Sequence, residues 1–284
     1  MTEAVGLCWR GFATALCFVG FGFATLLLRV LVFPILFVAV RHPGRRALLA
    51  KAVVHHVVKL FIAGTRVLGV ISVDVHGLEK LRRRGLLIVA NHPSLLDVLL
   101  LLSLVQRADC VVKGSLARNP FVAGPIRSAG FIFNDSAPDF VADCAASIRC
   151  GNNLIIFPEG TRTPASGEMR LRRGAATVGV RAGVDLTPVL ITCYPAALGK
   201  GQPWYRIPDR RPHFVIDIGD DLPVRPDACR DGAHASTPAA NHCAAPARSG
   251  RQFINELTRQ LADHFSRGAG RAASSAPMFP GESA

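Results

Sequence analysis

Two short apolar runs, Leu86-Leu87-Ile88-Val89-Ala90 and Leu154-Ile155-Ile156-Phe157, each break abruptly into a polar cluster. No polar residue alternates within either run, so each reads as a strand covered on both faces. Strands of that kind belong to α/β domains, in which ligands lie beyond the carboxyl ends of the strands. The first run leads into Asn91-His92-Pro93-Ser94-Leu95-Leu96-Asp97 and the second into Pro158-Glu159-Gly160-Thr161-Arg162. Around them the pattern predicts an edge strand through Val73 and Val75 ending at His76-Gly77, a helix over 94–105, and a short strand over 110–112 ending in Lys113. Further strands are expected at 130–133, 186–191 and 213–218, and helices at 138–150 and 174–182. Strands alternating with helices predict an α/β fold, a mixed sheet flanked by helices.

A histidine oriented by an acid can take a proton from a hydroxyl near neutral pH. Five residues turn a continuous α-helix by roughly 140°, so His92 and Asp97 could not meet inside one. They meet if His92 lies in the strand-to-helix turn, with Pro93 in the first helical turn and Asp97 one turn in. The structural alternative is a histidine at a strand end followed by an acid that favours the helix dipole. Ser94 reads as the helix cap. In the second cluster, Arg162 offers a planar fork suited to a phosphate, Glu159 could orient that arginine or bind a hydroxyl, and Gly160 allows close backbone approach. A Glu159–Arg162 ion pair bracing the turn is the alternative there. Arg170, Arg172 and Arg173 fit either phosphate contacts or a solvated basic loop.

With 284 residues the chain has room for one α/β domain and additional segments. Its net charge of +13 first suggests nucleic acid as a partner. Against that, the chain has no zinc-finger spacing and no interleaving of aromatic and basic residues. A mean hydropathy of +0.30 with basic patches fits an anionic membrane surface better. The eight cysteines form no C-x-x-C pair and read as buried free thiols of a reducing compartment. No cluster suggests a metal site.

The 18 residues from 11 to 28 carry no charge, and after Arg29 a second apolar stretch, containing Pro34, runs to Val40. Eighteen residues make a helix of about 27 Å, close to the thickness of a hydrocarbon core. The apolar stretch is too long for a cleaved leader, and no A-x-A-like site follows it. A membrane-embedded helix or helical hairpin is therefore expected over 1–45. If it spans, the basic run Arg41-His42-Pro43-Gly44-Arg45-Arg46 places everything downstream in the cytoplasm. Residues 47–70 are a further apolar helix with Val53, Val57, Leu60 and Phe61 on one side. It either packs on the domain or lies in the interface with Lys51 and Lys59 near head groups. Residues 223–250 read as a linker or disordered insert, 251–267 as a helix through Phe253, Leu257, Leu261 and Phe265, and 268–284 as a disordered tail.

The pattern Asn91-His92-x-x-x-x-Asp97, followed some sixty residues later by Phe157-Pro158-Glu159-Gly160-Thr161-Arg162, resembles the glycerolipid acyltransferases, the 1-acylglycerol-3-phosphate acyltransferases and their relatives. Leu186-Thr187-Pro188-Val189-Leu190-Ile191 matches another block of that family, and the resemblance covers about residues 75–220. It implies an acyltransferase domain over 46–222. It further implies a lysolipid acceptor, acyl-CoA or acyl-carrier protein as donor, and no cofactor or metal. His92 would be the general base, Asp97 its orienting acid, and acyl transfer direct, without an acyl-enzyme. Glu159, Gly160, Thr161 and Arg162 would bind the acceptor, with Lys113 near its phosphate. The implied location is a membrane, as of a bacterial inner membrane with the catalytic domain facing the cytoplasm. One block departs from the family. Gly130-Phe131-Ile132-Phe133-Asn134-Asp135-Ser136 has Ser136 where an arginine is expected, a contact that Arg127 could supply instead. Acceptors of ornithine-lipid or aryl-polyene type thus stand beside lysophosphatidate, and a hydrolase or a non-catalytic membrane protein stands behind both.

Overall fold

The computed structural model describes residues 2–134, 139–164, 166, 168–224 and 250–275. Its strands are β1 (Ser72–His76), β2 (Leu87–Ala90), β3 (Ala108–Val112), β4 (Ile132–Phe133), β5 (Asn153–Ile156), β6 (Leu186–Tyr194) and β7 (His213–Ile218). They form one seven-stranded sheet in the order β1-β7-β6-β2-β5-β3-β4. β2 to β6 run parallel to one another, β7 is antiparallel to β6, and β1 is parallel to β7. The expected mixed sheet is present. The carboxyl ends of β2, β3, β4, β5 and β6 therefore share one edge, and their amino ends share the other.

Side chains along β2 alternate between two cores. Ile88 and Ala90 pack beneath α3 (Pro43–Val67), α4 (Asp97–Leu104) and α5 (Ala123–Ala129). Leu87 and Val89 pack beneath α6 (Phe140–Arg149), α7 (Gly174–Ala182) and α8 (Gly250–Ser275). Covering both faces of the sheet is what makes β2 and β5 apolar at every position. Leu257, Leu261 and Phe265 bury the inner stripe of α8. That helix runs beyond 267, where its apolar repeat stops, because Gly268 lets it lie against Leu190. A Cβ there would stand 2.5 Å from Leu190 Cδ2. Residues 268–275 of the expected tail are thus helical. The chain packs through Val224, buried against the second core. The remainder of the expected linker, 225–249, and of the tail, 276–284, lies outside the described residues.

At the N-terminus, α1 (Thr2–Leu27) passes through a π-helical turn, Leu28–Val32, into α2 (Phe33–Ala39). Helical backbone continues across Arg29 and Pro34, so no hairpin forms within 11–40. The hairpin forms instead between this long helix and α3. Phe21 meets Phe61 with ring centroids 5.0 Å apart, and the Trp9 indole donates to the Leu68 carbonyl, which makes the two antiparallel. The π turn accommodates Arg29. Its guanidinium donates to the Pro120 carbonyl at 2.6 Å, and Gly124 is small enough to lie against its stem.

α3 packs on α4 and α5, and a boundary at 45/46 falls within its first turn. Its buried stripe is Ala50, Lys51, Val54, Val58, Ile62 and Thr65; of the expected face, Val53, Val57 and Phe61 are partly buried against the same core and Leu60 is exposed. Lys51 is accordingly buried, paired at 2.6 Å with Asp109 of β3, rather than near head groups. Two helical stretches, Gly6–Ala39 and Pro43–Val67, are long and apolar enough to cross a membrane.

Candidate active site

Where β2 ends, Asn91 continues its pairing with β6 through a side chain. The Asn91 amide donates to the Ile191 carbonyl at 2.8 Å and its Oδ1 accepts from Ile191 N at 2.7 Å. A buried amide acting as a strand residue lets the main chain turn away while the neighbouring β6 groups stay satisfied. Residues 91–96 form the turn, and α4 starts at Asp97, three residues later than expected. Pro93 and Ser94 therefore precede the helix. Ser94 is not its cap: Ser94 Oγ donates to the Ala197 carbonyl at 2.9 Å and accepts from Leu96 N at 3.3 Å.

This turn brings His92 and Asp97 together. Nδ1 of His92 lies 2.9 Å from Asp97 Oδ2, which also accepts from Ser94 N at 2.6 Å. A carboxylate accepts only, so Nδ1 carries the proton and the lone pair sits on Nε2. The imidazole rests on the Phe157 ring, centroids 4.4 Å apart, and is 15% exposed, while Asp97 is wholly buried. Burial raises the Asp97 carboxyl to about 6, against the downward pull of the His92 bond and charge and the Ser94 amide; the charge of Glu159 adds to the rise. Its second oxygen, Oδ1, is buried with no hydrogen-bond partner among the described residues.

The Phe157–Arg162 block holds His92 by its backbone. Glu159 Oε1 accepts from His92 N at 3.0 Å and from Thr163 Oγ1 at 2.8 Å, and Thr163 N donates to the His92 carbonyl at 2.7 Å. Arg162 takes no part in these ties. The alternative of a Glu159–Arg162 ion pair is absent among the described residues, and Glu159 does not touch Arg162 to orient it, because the intervening turn sends the two side chains apart. Glu159 is buried beneath His92, whereas Arg162 Nη1 donates to the Leu198 and Gly199 carbonyls at 2.9 Å each. Gly160 makes that turn possible with φ +68°, and the Arg172 guanidinium lies against it, 3.3 Å from where a Cβ would be. Thr161 is exposed.

The carbonyls that Arg162 holds belong to the loop between β6 and β7, which sequence reasoning missed. Leu95 N donates to Leu198 O at 3.1 Å, and Ala197 O receives Ser94 Oγ, so three ties fix this loop over the turn. Farther along, Trp204 meets Phe18 of α1 with centroids 5.2 Å apart. Cys193 lies close by, its thiol donating to the Pro195 carbonyl, and burial pushes it up to about 12. Lys113 is exposed at the carboxyl end of β3, two strands from His92 on the same edge. Arg127 donates to the Ala117 carbonyl, and Arg170 pairs with Glu168. Ser136 lies outside the described residues.

A family model described as Acyltransferase matches residues 72–192, the segment from β1 to the end of β6 that holds both clusters. Over that segment the chain is similar to the acyltransferase family. Among curated proteins it is 31% identical over 178 residues to acl-2 of Caenorhabditis elegans, a candidate 1-acyl-sn-glycerol-3-phosphate acyltransferase, covering 57% of this chain and 62% of that one. The 1-acyl-sn-glycerol-3-phosphate acyltransferase of Pseudomonas aeruginosa is 30% identical over 146 residues, 49% of this chain and 54% of that one. The chain thus spans less than two thirds of the length of these relatives. Its fold is shared by the crystal structure of PlsC, the 1-acyl-sn-glycerophosphate acyltransferase of Thermotoga maritima, with a TM-score of 0.66 at 19% identity over 94% of this chain and 99% of that one.

Proposed function

We propose that this chain is a membrane-bound acyltransferase that moves a fatty acyl group from an acyl thioester to the free hydroxyl of a lysophospholipid, with 1-acylglycerol-3-phosphate as acceptor and phosphatidate as product. The observation that carries this reading is the His92–Asp97 pair, 2.9 Å apart at the carboxyl edge of the sheet, with His92 backbone-clamped by the Glu159–Thr163 turn. The relatives' names supply the lysolipid class.

In this mechanism Nε2 of His92 takes the proton of the acceptor hydroxyl as its oxygen attacks the thioester carbonyl. Asp97 holds Nδ1–H and offsets the positive charge that develops on the ring. The tetrahedral intermediate collapses by breaking the carbon–sulfur bond, and the proton on Nε2 passes to the departing thiolate. Two nearby groups that could have formed an acyl-enzyme are engaged: Ser94 Oγ is buried and donates to Ala197 O, and the Cys193 thiol is held neutral by burial. Direct transfer fits that arrangement. Lys113, Arg162 and Arg172 at the same edge supply positive charge for an acceptor phosphate or for the phosphates of acyl-CoA or acyl-carrier protein.

The membrane reading rests on one stripe of the N-terminal helix. Phe12, Val19, Phe23, Val30 and Phe37 are 61–70% exposed, which in water forfeits about 1–2 kcal/mol apiece. α3 is committed to α4 and α5, so the α1–α2 face enters lipid, with the domain on the cytoplasmic side of a bacterial inner membrane.

The purified full chain, given acyl-CoA or acyl-carrier protein and a panel of lyso-acceptors, tests the assignment. Thiol release that requires lysophosphatidate is expected. Release of free fatty acid without any acceptor would make the chain a hydrolase, and activity confined to a non-phosphorylated acceptor would replace the substrate.

A further inference from the structure

The edge of the sheet opposite His92 carries a cationic cavity of about 540 Å³. Three segments at strand amino ends shape it: residues 82–84 ahead of β2, 106–107 ahead of β3, and Asn153 at the start of β5; α3 closes it with His55 and Lys59. Lys59, Arg82, Arg83, Arg84 and Arg107 line it, and no carboxylate does. Arg83 is engaged by Asp221 at 2.6 and 3.0 Å. Lys59, Arg82, Arg84 and Arg107 have no acidic partner among the described residues.

The backbone segments that carry the arginines are tied together, while the Lys59, Arg82 and Arg84 side chains themselves are exposed. Asn153 is buried and bonded at every polar atom. Its Oδ1 accepts from Leu86 N at 3.0 Å, and its amide donates to the Arg83 and Gln106 carbonyls at 3.1 Å each. One side chain thus locks together the two segments that bear the arginines. Arg107 is held at φ +51°, a left-handed conformation that costs a non-glycine residue about 1 kcal/mol. The His55 ring is oriented by its Nδ1, which donates to the Leu102 carbonyl at 2.8 Å.

We propose that this cavity is a second anion site, for a phosphate-bearing ligand of diphosphate or headgroup size. Like charges converging on a fixed concavity repel one another, and guanidinium forks match phosphate oxygens in pairs. Four residues of β2 separate the two edges by about 13 Å, so this site is distinct from the one that holds His92. The ligand occupies it without meeting the reacting atoms.

Isothermal titration of inorganic pyrophosphate into the full chain in detergent tests this. Arg84→Gln with Arg107→Gln is expected to weaken binding at least tenfold. Arg259→Gln, which removes an exposed charge from α8, should leave it unchanged. Absence of saturable binding to the wild type overturns the proposal, as does binding that survives the double substitution. If the double variant does not fold, the single substitutions decide: each should diminish the pyrophosphate-induced rise in Tm, and an undiminished rise in both overturns the site. Competition separates the sources. Displacement by phosphatidate vesicles but not by adenosine diphosphate assigns a lipid headgroup, and the reverse assigns a soluble phosphate; either supports the site.

Discussion

Burial makes the Asp97 charge costly, and the His92 bond and Ser94 amide recover only part of that cost. The folded carboxyl titrates near 6 against an ordinary 3.8, so the native state binds this proton more tightly than the unfolded chain does. Stability from this group is therefore complete below about pH 4 and lost as pH rises through 6. Asp97→Asn should accordingly be more stable than the wild type at pH 7, by up to about 3 kcal/mol, with no difference below pH 4. Urea denaturation between pH 4 and 8 checks both limbs. The same substitution should lower turnover by about 10²–10⁴-fold, since the imidazole loses the negative charge that offsets its own as it protonates and an amide NH2 can compete for Nδ1. Glu159 acts on this pair from below. Glu159→Gln keeps an oxygen for His92 N but removes a charge that raises Asp97, so the acid limb of the rate profile should move to lower pH. Glu159→Ala, which drops the backbone tie as well, should cost more than tenfold in turnover.

Between elements, the tie of α3 to β3 is ionic where the surrounding stripe is apolar. Lys51 and Asp109 are both buried, so Asp109→Asn strands an ammonium and should destabilise by about 3–5 kcal/mol, whereas Lys51→Met with Asp109→Leu should cost far less; thermal melts of both variants distinguish these outcomes. Nothing in the pattern of 47–70 marks Lys51 as inward-facing, because one charge on an apolar helix reads as surface until its partner's position is known. The β2 and β5 strands were legible from sequence because burial on both faces leaves no polar alternation. The turn between β2 and α4 was legible in its outcome and not in its detail. Ser94 reads as a cap, but tertiary ties to Ala197 and Leu198 postpone the helix to Asp97. The Glu159 and Arg162 side chains diverge for a similar reason. Their partners, His92 N and the 198–199 carbonyls, lie on segments 67 and 36–37 residues away in sequence, beyond the reach of any local rule.

At the scale of the whole molecule, one helical hairpin joins an apolar outer face to the reaction edge. The chain passes from α1 through the Phe18–Trp204 contact to the loop that Arg162 holds. Glutamate at Phe23 and Val30 should shift the protein from membrane to soluble fractions in a flotation assay without unfolding the α/β domain, since both side chains face outward. The hydropathy of 11–40 made a long apolar helix legible. Its return along α3 was not, because Arg29 and Pro34 look like a break and only the Pro120 carbonyl and Gly124 explain why the helix continues. The central claim is that His92 is the base of an acyl transfer to a lysolipid hydroxyl. The most direct measurement is kcat/KM against pH, read as thiol release with lysophosphatidate and acyl-CoA or acyl-carrier protein, for the wild type and His92→Ala. The account predicts an acid limb near pH 6 in the wild type, where Asp97 protonates, and a loss of more than about 10²-fold in His92→Ala at every pH. A folded His92→Ala variant that retains wild-type kcat/KM would contradict it.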